Sequence, residues 1–409
     1  CRQSLNGRKK LTSIPGTLMQ ETPPRKQSSE FTGAVQGRIA ALRNSVAFQN
    51  YEQVRDHVLR MKDLEAQRSE TVLKPSAYWR EELENFEYML DAHPLIIDKL
   101  RHHSYHVTGL RVYDYRSNKD SVRELLAEKL EVLVKMGGHD LLVPEPRDMG
   151  GFGFEIEGQL YNIDTLKFYE VLIAMQRSSI LPDLRKPADR KLVWEIGAGW
   201  GGFAYQFKTI CSNVTYVIMD FPELFLFSGT YLKTMFPEAR VEFFDHGSLG
   251  KLLGQWRDID FLFVPNTFLD DFSPDQVDLA INMVSFQEMT SDQVRAYVEK
   301  AHELQSPYLY SLNRDRSPYN RELLSVSNII AERFLPRQIP VLPVSYPKML
   351  NKLTKARGLR ARLKKKKVTR PDYKHIVGCH RMTLNGKHIP GSTGEAAPSL
   401  GLPPGEASE

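Results

Sequence analysis

A carboxylate set among glycines gives this 409-residue chain its first pattern with chemical meaning. Glu195-Ile-Gly197-Ala-Gly199-Trp-Gly201-Gly202 follows a short apolar run and precedes a stretch of helical character. Glycines in a strand-to-helix turn allow a tight bend and let a ligand approach the backbone with no Cβ in the way. The next apolar run, Val214–Met219, ends in Asp220. An acid closing the second strand, roughly 20 residues beyond the glycines, can accept hydrogen bonds from ribose hydroxyls. An adenosine-type ligand follows from the pair. A dinucleotide fingerprint would read G-x-G-x-x-G and lay a pyrophosphate on the helix N-terminus. Here the spacing is Gly197-x-Gly199-x-Gly201 with Glu195 at the strand end, an arrangement suited to a cationic ligand. Dinucleotide enzymes share the ribose acid, so Asp220 alone does not choose between the two.

Further polar groups fall where later strands should end. These are Asn266 after Ile259–Val264, Ser285, Gln287 and Glu288 after Val277–Val284, and Asn313 after Tyr308–Leu312. Arg240–Phe244 ends in Asp245-His246, and either this run or Ile259–Val264 could take the third-strand position. Ligands of open α/β sheets bind outside the carboxyl ends of the strands. Glu195, Asp220, Asn266, Ser285 to Glu288 and Asn313 are therefore expected on one rim. His102 and His106 could share a helix face and Asp270-Asp271 could offer oxygens to a cation, but neither has the company of a metal site, and no metal is expected.

Strands alternating with helices predict an α/β fold with a parallel, covered sheet over residues 186–385. Ahead of it, residues 76–185 read as a helical cap with a hairpin on the substrate side. Its amphipathic helix runs from Ser121 as cap to Gly137-Gly138. A Gly/aromatic loop at 148–154 leads into a hairpin turning at Gly158, and a helix follows with Asp164 as N-cap. Loop and hairpin could form a stacking platform or a lid, with Tyr161 and Asn162 toward the substrate. A hairpin simply packed on the core is an equal alternative. Ser291 is the expected cap of the helix after Glu288, and 321–334 the expected last helix.

The flanks differ in character. Residues 1–75 read as disordered or peripherally helical, with disorder over 1–35 and a polar helix from Ile39 to Arg68. Residues 386–409 read as a disordered Gly/Pro/Ser/Glu tail. The run Lys364–Lys367 reads as a solvated charge cluster. A formal charge of +5 does not mark a nucleic-acid binder. The hydrophobic fraction of 41% suffices for a core, yet no apolar run reaches membrane-spanning length. Cys1, Cys211 and Cys379 lack redox or metal spacing, as expected of a cytoplasmic protein, and an opening Cys1 suggests a fragment or a processed chain.

With these residues assembled, the chain resembles the bacterial sugar O-methyltransferases of the class I S-adenosylmethionine-dependent group. The carriers are Gly151-Phe-Gly-Phe-Glu-Ile-Glu-Gly158, Tyr161-Asn-Ile-Asp-Thr-Leu-Lys-Phe-Tyr-Glu170, Trp194–Phe203, Asp220-Phe-Pro-Glu223 and Ser285-Phe-Gln-Glu-Met289, within roughly residues 78–350. Trp194–Phe203 matches motif I of all class I enzymes, whereas the Tyr161 and Ser285 stretches are narrower marks. The resemblance implies a Rossmann-like methyltransferase sheet and S-adenosyl-L-methionine held by Glu195, Gly197, Gly199, Gly201, Asp220, Asn266 and Ser285. It further implies a sugar, nucleotide-sugar or glycan acceptor near Gln287, Tyr161, Asn162 and Asn313. Glu288 is the leading catalytic base and His246 the next, ahead of the His102–His106 cluster. An NAD-dependent oxidoreductase and a non-catalytic cofactor-binding scaffold are the alternatives.

Overall fold

The structure is a computed structural model that describes residues 26–68, 72–186, 190–316, 323, 325–341 and 373–380. Cys1, the Lys364–Lys367 run and the 386–409 tail lie outside the described residues. Ten strands form among them: β1 (Phe154–Ile156), β2 (Gln159–Tyr161), β3 (Lys191–Ile196), β4 (Val214–Asp220), β5 (Val241–Phe243), β6 (Phe261–Pro265), β7 (Leu279–Met283), β8 (Tyr308–Asn313), β9 (Leu335–Gln338) and β10 (Lys374–Cys379). The first two make the hairpin expected around Gly158, and the other eight form one sheet in the order β5-β6-β4-β3-β7-β8-β10-β9. The pairs from β5 through β8 are parallel, while β10 runs antiparallel to both β8 and β9. It is β6 that pairs with β4, so Phe261–Pro265 takes the third-strand position and β5 the edge beyond it.

Alternation along the strands divides the core between the faces. Leu192, Trp194 and Ile196 pack into a cluster with Val294, Val298 and Ile330, from helices Ser291–Glu303 and Val326–Arg333. Val193, Tyr216 and Ile218 face the other way, onto helices Ile163–Arg177, Gly202–Ile210 and Pro222–Met235. Near-continuous apolar runs such as Val214–Met219 are what a sheet buried on both faces demands. The order of winding reverses between β3 and β7, which opens a crevice at their carboxyl ends.

Several local expectations change. Residues 26–35, expected to be disordered, belong to helix Lys26–Arg43. It is fastened where Arg38 donates to Asp98 at 3.2 Å, and Ile39 and Leu42 are half-buried. Helix Asp120–Gly137 begins one residue ahead of Ser121 without a side-chain cap. Helix Ser291–Glu303 is capped by Thr290, in a reciprocal box with Gln293, because Ser291 already lies within the first turn. Likewise Asn162, not Asp164, caps helix Ile163–Arg177, since Asp164 is committed to a buried ion pair. Of the last helix, Val326–Arg333 is described.

Candidate functional site

The crevice at the winding reversal is an open cleft with an empty volume of about 1040 Å³. Glu195, Gly197, Gly199, Asp220, Asn266, Ser285 and Glu288 all line it. The glycine loop is shaped by its neighbours. Gly197 has φ 74° and a Cβ there would lie 2.2 Å from the Ser285 Oγ. Gly199 has φ 59° and a Cβ there would lie 2.7 Å from the Val107 side chain. Gly201 lies behind the lining, packed against Ser228 of helix Pro222–Met235.

Carboxylates set the electrostatics. Asp220 accepts the Gly199 N–H at 2.9 Å and the Phe221 N–H at 2.9 Å. Burial nevertheless pushes its pKa up to about 7, against the pull of those donors. Glu195 accepts from the Tyr216 hydroxyl at 3.0 Å. Burial pushes it up to about 8, aided by the nearby charge of Asp220. Glu288 is half-buried, and its carboxylate receives no hydrogen bond from the described residues. Burial and the charge of Glu82 carry it up to about 8, against the pull of Arg314 and Lys167. Among the described residues, Lys167 is the only lysine or arginine lining the cleft, and it already donates to Asp164 at 2.8 Å. The lining is therefore richer in acid than in base and fits a cation.

A buried amide network holds the Glu288 turn. Asn282 donates to the Ile196 carbonyl at 2.8 Å and accepts from the Phe286 N–H at 2.9 Å. Asn313 donates to Asn282 Oδ1 at 2.9 Å and accepts from the Gln287 N–H at 3.3 Å. Between them Val284 sits at φ 63°, an outlier for a β-branched residue that persists only where its surroundings enforce it.

A strap closes another side of the cleft. Asn266 donates to the Leu73 carbonyl at 2.7 Å, and Gln293 to the carbonyls of Val72 at 3.0 Å and Lys74 at 2.9 Å. Leu73, Ser76 and Trp79 then line the cleft, and Trp79 packs on Phe221 with ring centroids 5.7 Å apart.

Besides Gly201, five of the expected site residues stand outside the lining. Gln287 turns into the protein, accepting the Arg314 N–H at 3.1 Å. Asn313 is consumed in the amide network, so both position Glu288's turn without facing the cleft. Asn162 spends its side chain on the helix cap and on the Phe152 carbonyl, 2.7 Å away. Tyr161 is buried in β2. His246 is 80% exposed at the far edge of the sheet and hydrogen-bonded to Asp245. The Gly/aromatic loop is core rather than lid, because a Cβ at Gly151 would strike the Pro146 carbonyl and Phe152 is buried against Tyr115. His103 meets the Tyr88 hydroxyl at 2.9 Å and Asp271 pairs with Arg68 at 2.7 Å. Among the described residues no group of three His, Cys, Asp or Glu is placed to hold a metal, and no helix is long and apolar enough to cross a membrane.

Lys167, Trp79, Gln293 and Asn282 also build the site, although none of them stands out in the sequence as a site residue. Asn282 did leave a signal, as the one polar residue of a buried strand, whereas Lys167, Trp79 and Gln293 left none beyond ordinary helical spacing.

No protein-family model matches the chain, and no curated protein does. Among solved structures, the chain is similar to a Haemonchus contortus phosphoethanolamine N-methyltransferase 2 in complex with S-adenosyl-L-methionine. Identity is 8% over 52% of this chain and 56% of that one, with a TM-score of 0.33. It is also similar to the N-methyltransferase NodS from Bradyrhizobium japonicum in complex with S-adenosyl-L-homocysteine, at 12% identity over 50% and 86% of the two chains and a TM-score of 0.29. A third is an O-methyltransferase family protein from Burkholderia thailandensis, at 14% identity over 53% and 59% and a TM-score of 0.30. The chain spans just over half the length of the first of these.

Proposed function

We propose that this protein is an S-adenosylmethionine-dependent methyltransferase whose acceptor is a hydroxyl of a sugar or glycan. The observation that carries the cofactor is the acid lining of the cleft behind a glycine loop. A pyrophosphate ligand wants free N–H groups and a bare helix N-terminus. Here the Gly199 N–H is spent on Asp220, and the Trp200 indole packs on Gly202, the first residue of helix Gly202–Ile210. A ligand carrying an ammonium and a sulfonium suits Glu195, Asp220 and Glu288 far better. The antiparallel β10 next to β8 also departs from the parallel strand order of dinucleotide folds.

When bound, the cofactor supplies an electrophilic methyl group for in-line displacement by the acceptor oxygen. Asp220 would hold the ribose hydroxyls, and Glu195 would face the ligand's positive charge. Trp79, Val107 and Phe168 would exclude water and keep the acceptor aligned. Glu288, the lining acid whose carboxylate takes no hydrogen bond from the described residues, would take the proton from the acceptor hydroxyl. A base with a pKa near the working pH is suited to that transfer. The sugar class follows from the sequence resemblance, and it enters with the Tyr161 and Ser285 stretches.

Calorimetric titration of S-adenosylmethionine against NAD(H) tests the cofactor. Binding of the first alone is expected, weakened in Asp220→Ala by the loss of hydrogen bonds worth about 1.5–3 kcal/mol. Preference for NAD(H), or an Asp220→Ala variant with undiminished affinity, contradicts the reading. Mass spectrometry of products from neutral glycans and nucleotide sugars then identifies the acceptor.

A further inference from the structure

We infer that Arg101 is a positioning residue, which fixes the glycine loop through Trp200 and the cleft lysine through Asp164; this rests on the methyltransferase reading of the cleft. Arg101 is 1% exposed, an unusual place for a charge. Its guanidinium uses every edge. The Nε donates to Glu145 at 2.7 Å, one terminal nitrogen to Asp164 at 2.8 Å and the other to the Ser104 hydroxyl at 2.6 Å. Its faces meet aromatic rings, with Trp200 centred 3.9 Å from the guanidinium carbon and Phe152 at 4.8 Å.

Those partners belong to different parts of the molecule. Glu145 and Phe152 come from the segment around the hairpin, Asp164 from helix Ile163–Arg177, and Trp200 from the glycine loop itself. The indole is in turn wedged against Gly202 and edge-on to Tyr231, 5.0 Å between ring centroids. With its indole clamped between these groups, Trp200 fixes the backbone of the flanking Gly199 and Gly201. The second arm runs through Asp164, which receives Arg101 on one carboxylate oxygen and Lys167 on the other, both at 2.8 Å. Lys167 lines the cleft near Glu288. One guanidinium thus joins the cofactor loop to the side of the cleft that carries Lys167.

A buried charge held only for stability is a poor explanation, since a well-packed apolar group usually does as well. What apolar residues cannot supply is a fixed angle between two carboxylates and an indole plane. Lysine would keep the charge and lose both the fork and the flat face.

The test is hydrogen exchange at the amides of Gly197–Gly202 in the ligand-free protein, together with calorimetry of S-adenosylhomocysteine, in Arg101→Lys and Glu145→Gln. Leu126→Ala serves as a comparison, because Leu126 is fully buried in helix Asp120–Gly137 and its aliphatic side chain is neither a hydrogen-bond nor a ring partner of Arg101, Trp200, Asp164 or Lys167. Exchange of the loop amides should rise and affinity fall by about tenfold in the first two, as expected for coupling through a packed network. Leu126→Ala should leave both near wild type despite a lower melting temperature. If loop exchange stays at the wild-type rate in the folded Arg101 and Glu145 variants, or rises as much in Leu126→Ala, the inference is wrong. Should Arg101→Lys fail to fold, Glu145→Gln decides the matter. A wild-type protein that binds no S-adenosylhomocysteine would refute the methyltransferase reading, while the exchange data would still judge the role of Arg101.

Discussion

At the scale of the residue, the site is governed by acids that do not want their charge until something positive arrives. Asp220 is held up to about 7, and Glu195 and Glu288 up to about 8, chiefly by burial. In the native state these groups keep protons that the unfolded chain would release, so the native state binds more protons in this range. The stability they contribute is fully present in acid and is lost as pH rises through about 7 to 8. A cationic ligand reverses the preference, because it favours the ionised forms. S-adenosylmethionine should therefore bind more tightly as pH rises from about 6 to 8.5, with protons released on binding. Calorimetry in buffers of differing ionisation enthalpy measures that release, and Asp220→Asn should reduce it. Affinity independent of pH would mean that the acids do not face the ligand. Glu288 carries the chemical prediction: Glu288→Gln should lower turnover by roughly 10²–10⁴-fold while cofactor affinity stays near wild type. Normal turnover in that variant would remove Glu288 from proton transfer.

At the scale of the element, the strap over residues 72–76 is expected to govern how fast the cofactor leaves. Gln293 fastens two of its carbonyls and Asn266 a third. Gln293→Leu removes two hydrogen bonds, each worth on the order of 0.5–1.5 kcal/mol. Stopped-flow displacement of S-adenosylhomocysteine should show dissociation about tenfold faster, since 1.4 kcal/mol corresponds to a factor of ten. An unchanged rate would show that the strap does not hold the ligand in. The same elements show what could be read from the chain alone. The strand–glycine–helix unit at Leu192–Phe207 was legible because a buried strand, a tight turn and an amphipathic helix each leave a local pattern. Asp220 and Glu288 were legible because strand ends converge in an α/β sheet. The direction of a side chain was not. Gln287 looked as available as Glu288, yet the turn between them sends one to Arg314 and the other to the cleft. Nor was the strap legible, since nothing in Leu73-Lys-Pro-Ser76 foretells donors almost 200 residues or more away. Asp164 and Ser291 failed as caps for the same reason: a cap is a matter of one residue's φ and ψ, and the neighbouring Asn162 and Thr290 fit equally well in the sequence.

At the scale of the whole molecule, the segments ahead of β3 are expected to be indispensable to the sheet that follows them. Helix Pro222–Met235 has buried residues around its whole circumference, from Leu224 to Leu232. One side meets the sheet, where Phe225 and Phe263 lie 5.2 Å apart, and the other meets helix Val46–Ala66. Contact there is close enough that a Cβ on Gly229 would come within 3.1 Å of Val54. Tyr51, Val54, Val58 and Met61 are fully buried against this body. At roughly 1.5–3 kcal/mol for each such side chain, their burial sums to something on the order of 10 kcal/mol. That equals the whole stability of an ordinary domain, about 5–15 kcal/mol. The glycine loop adds a second dependence, because Val107 abuts Gly199 and Arg101 stacks on Trp200. A chain shortened to begin at Arg190 would keep every strand of the large sheet and lose all of these contacts. It should collapse into an aggregate or a loosely packed state, seen as lost near-ultraviolet circular dichroism and non-cooperative melting, and it should not bind S-adenosylmethionine. Supplying residues 26–186 as a separate chain should recover part of the binding, since the lost contacts are non-covalent. A shortened chain that is soluble, melts cooperatively and binds with native affinity would show instead that the sheet is self-sufficient and the N-terminal segments only decorate it.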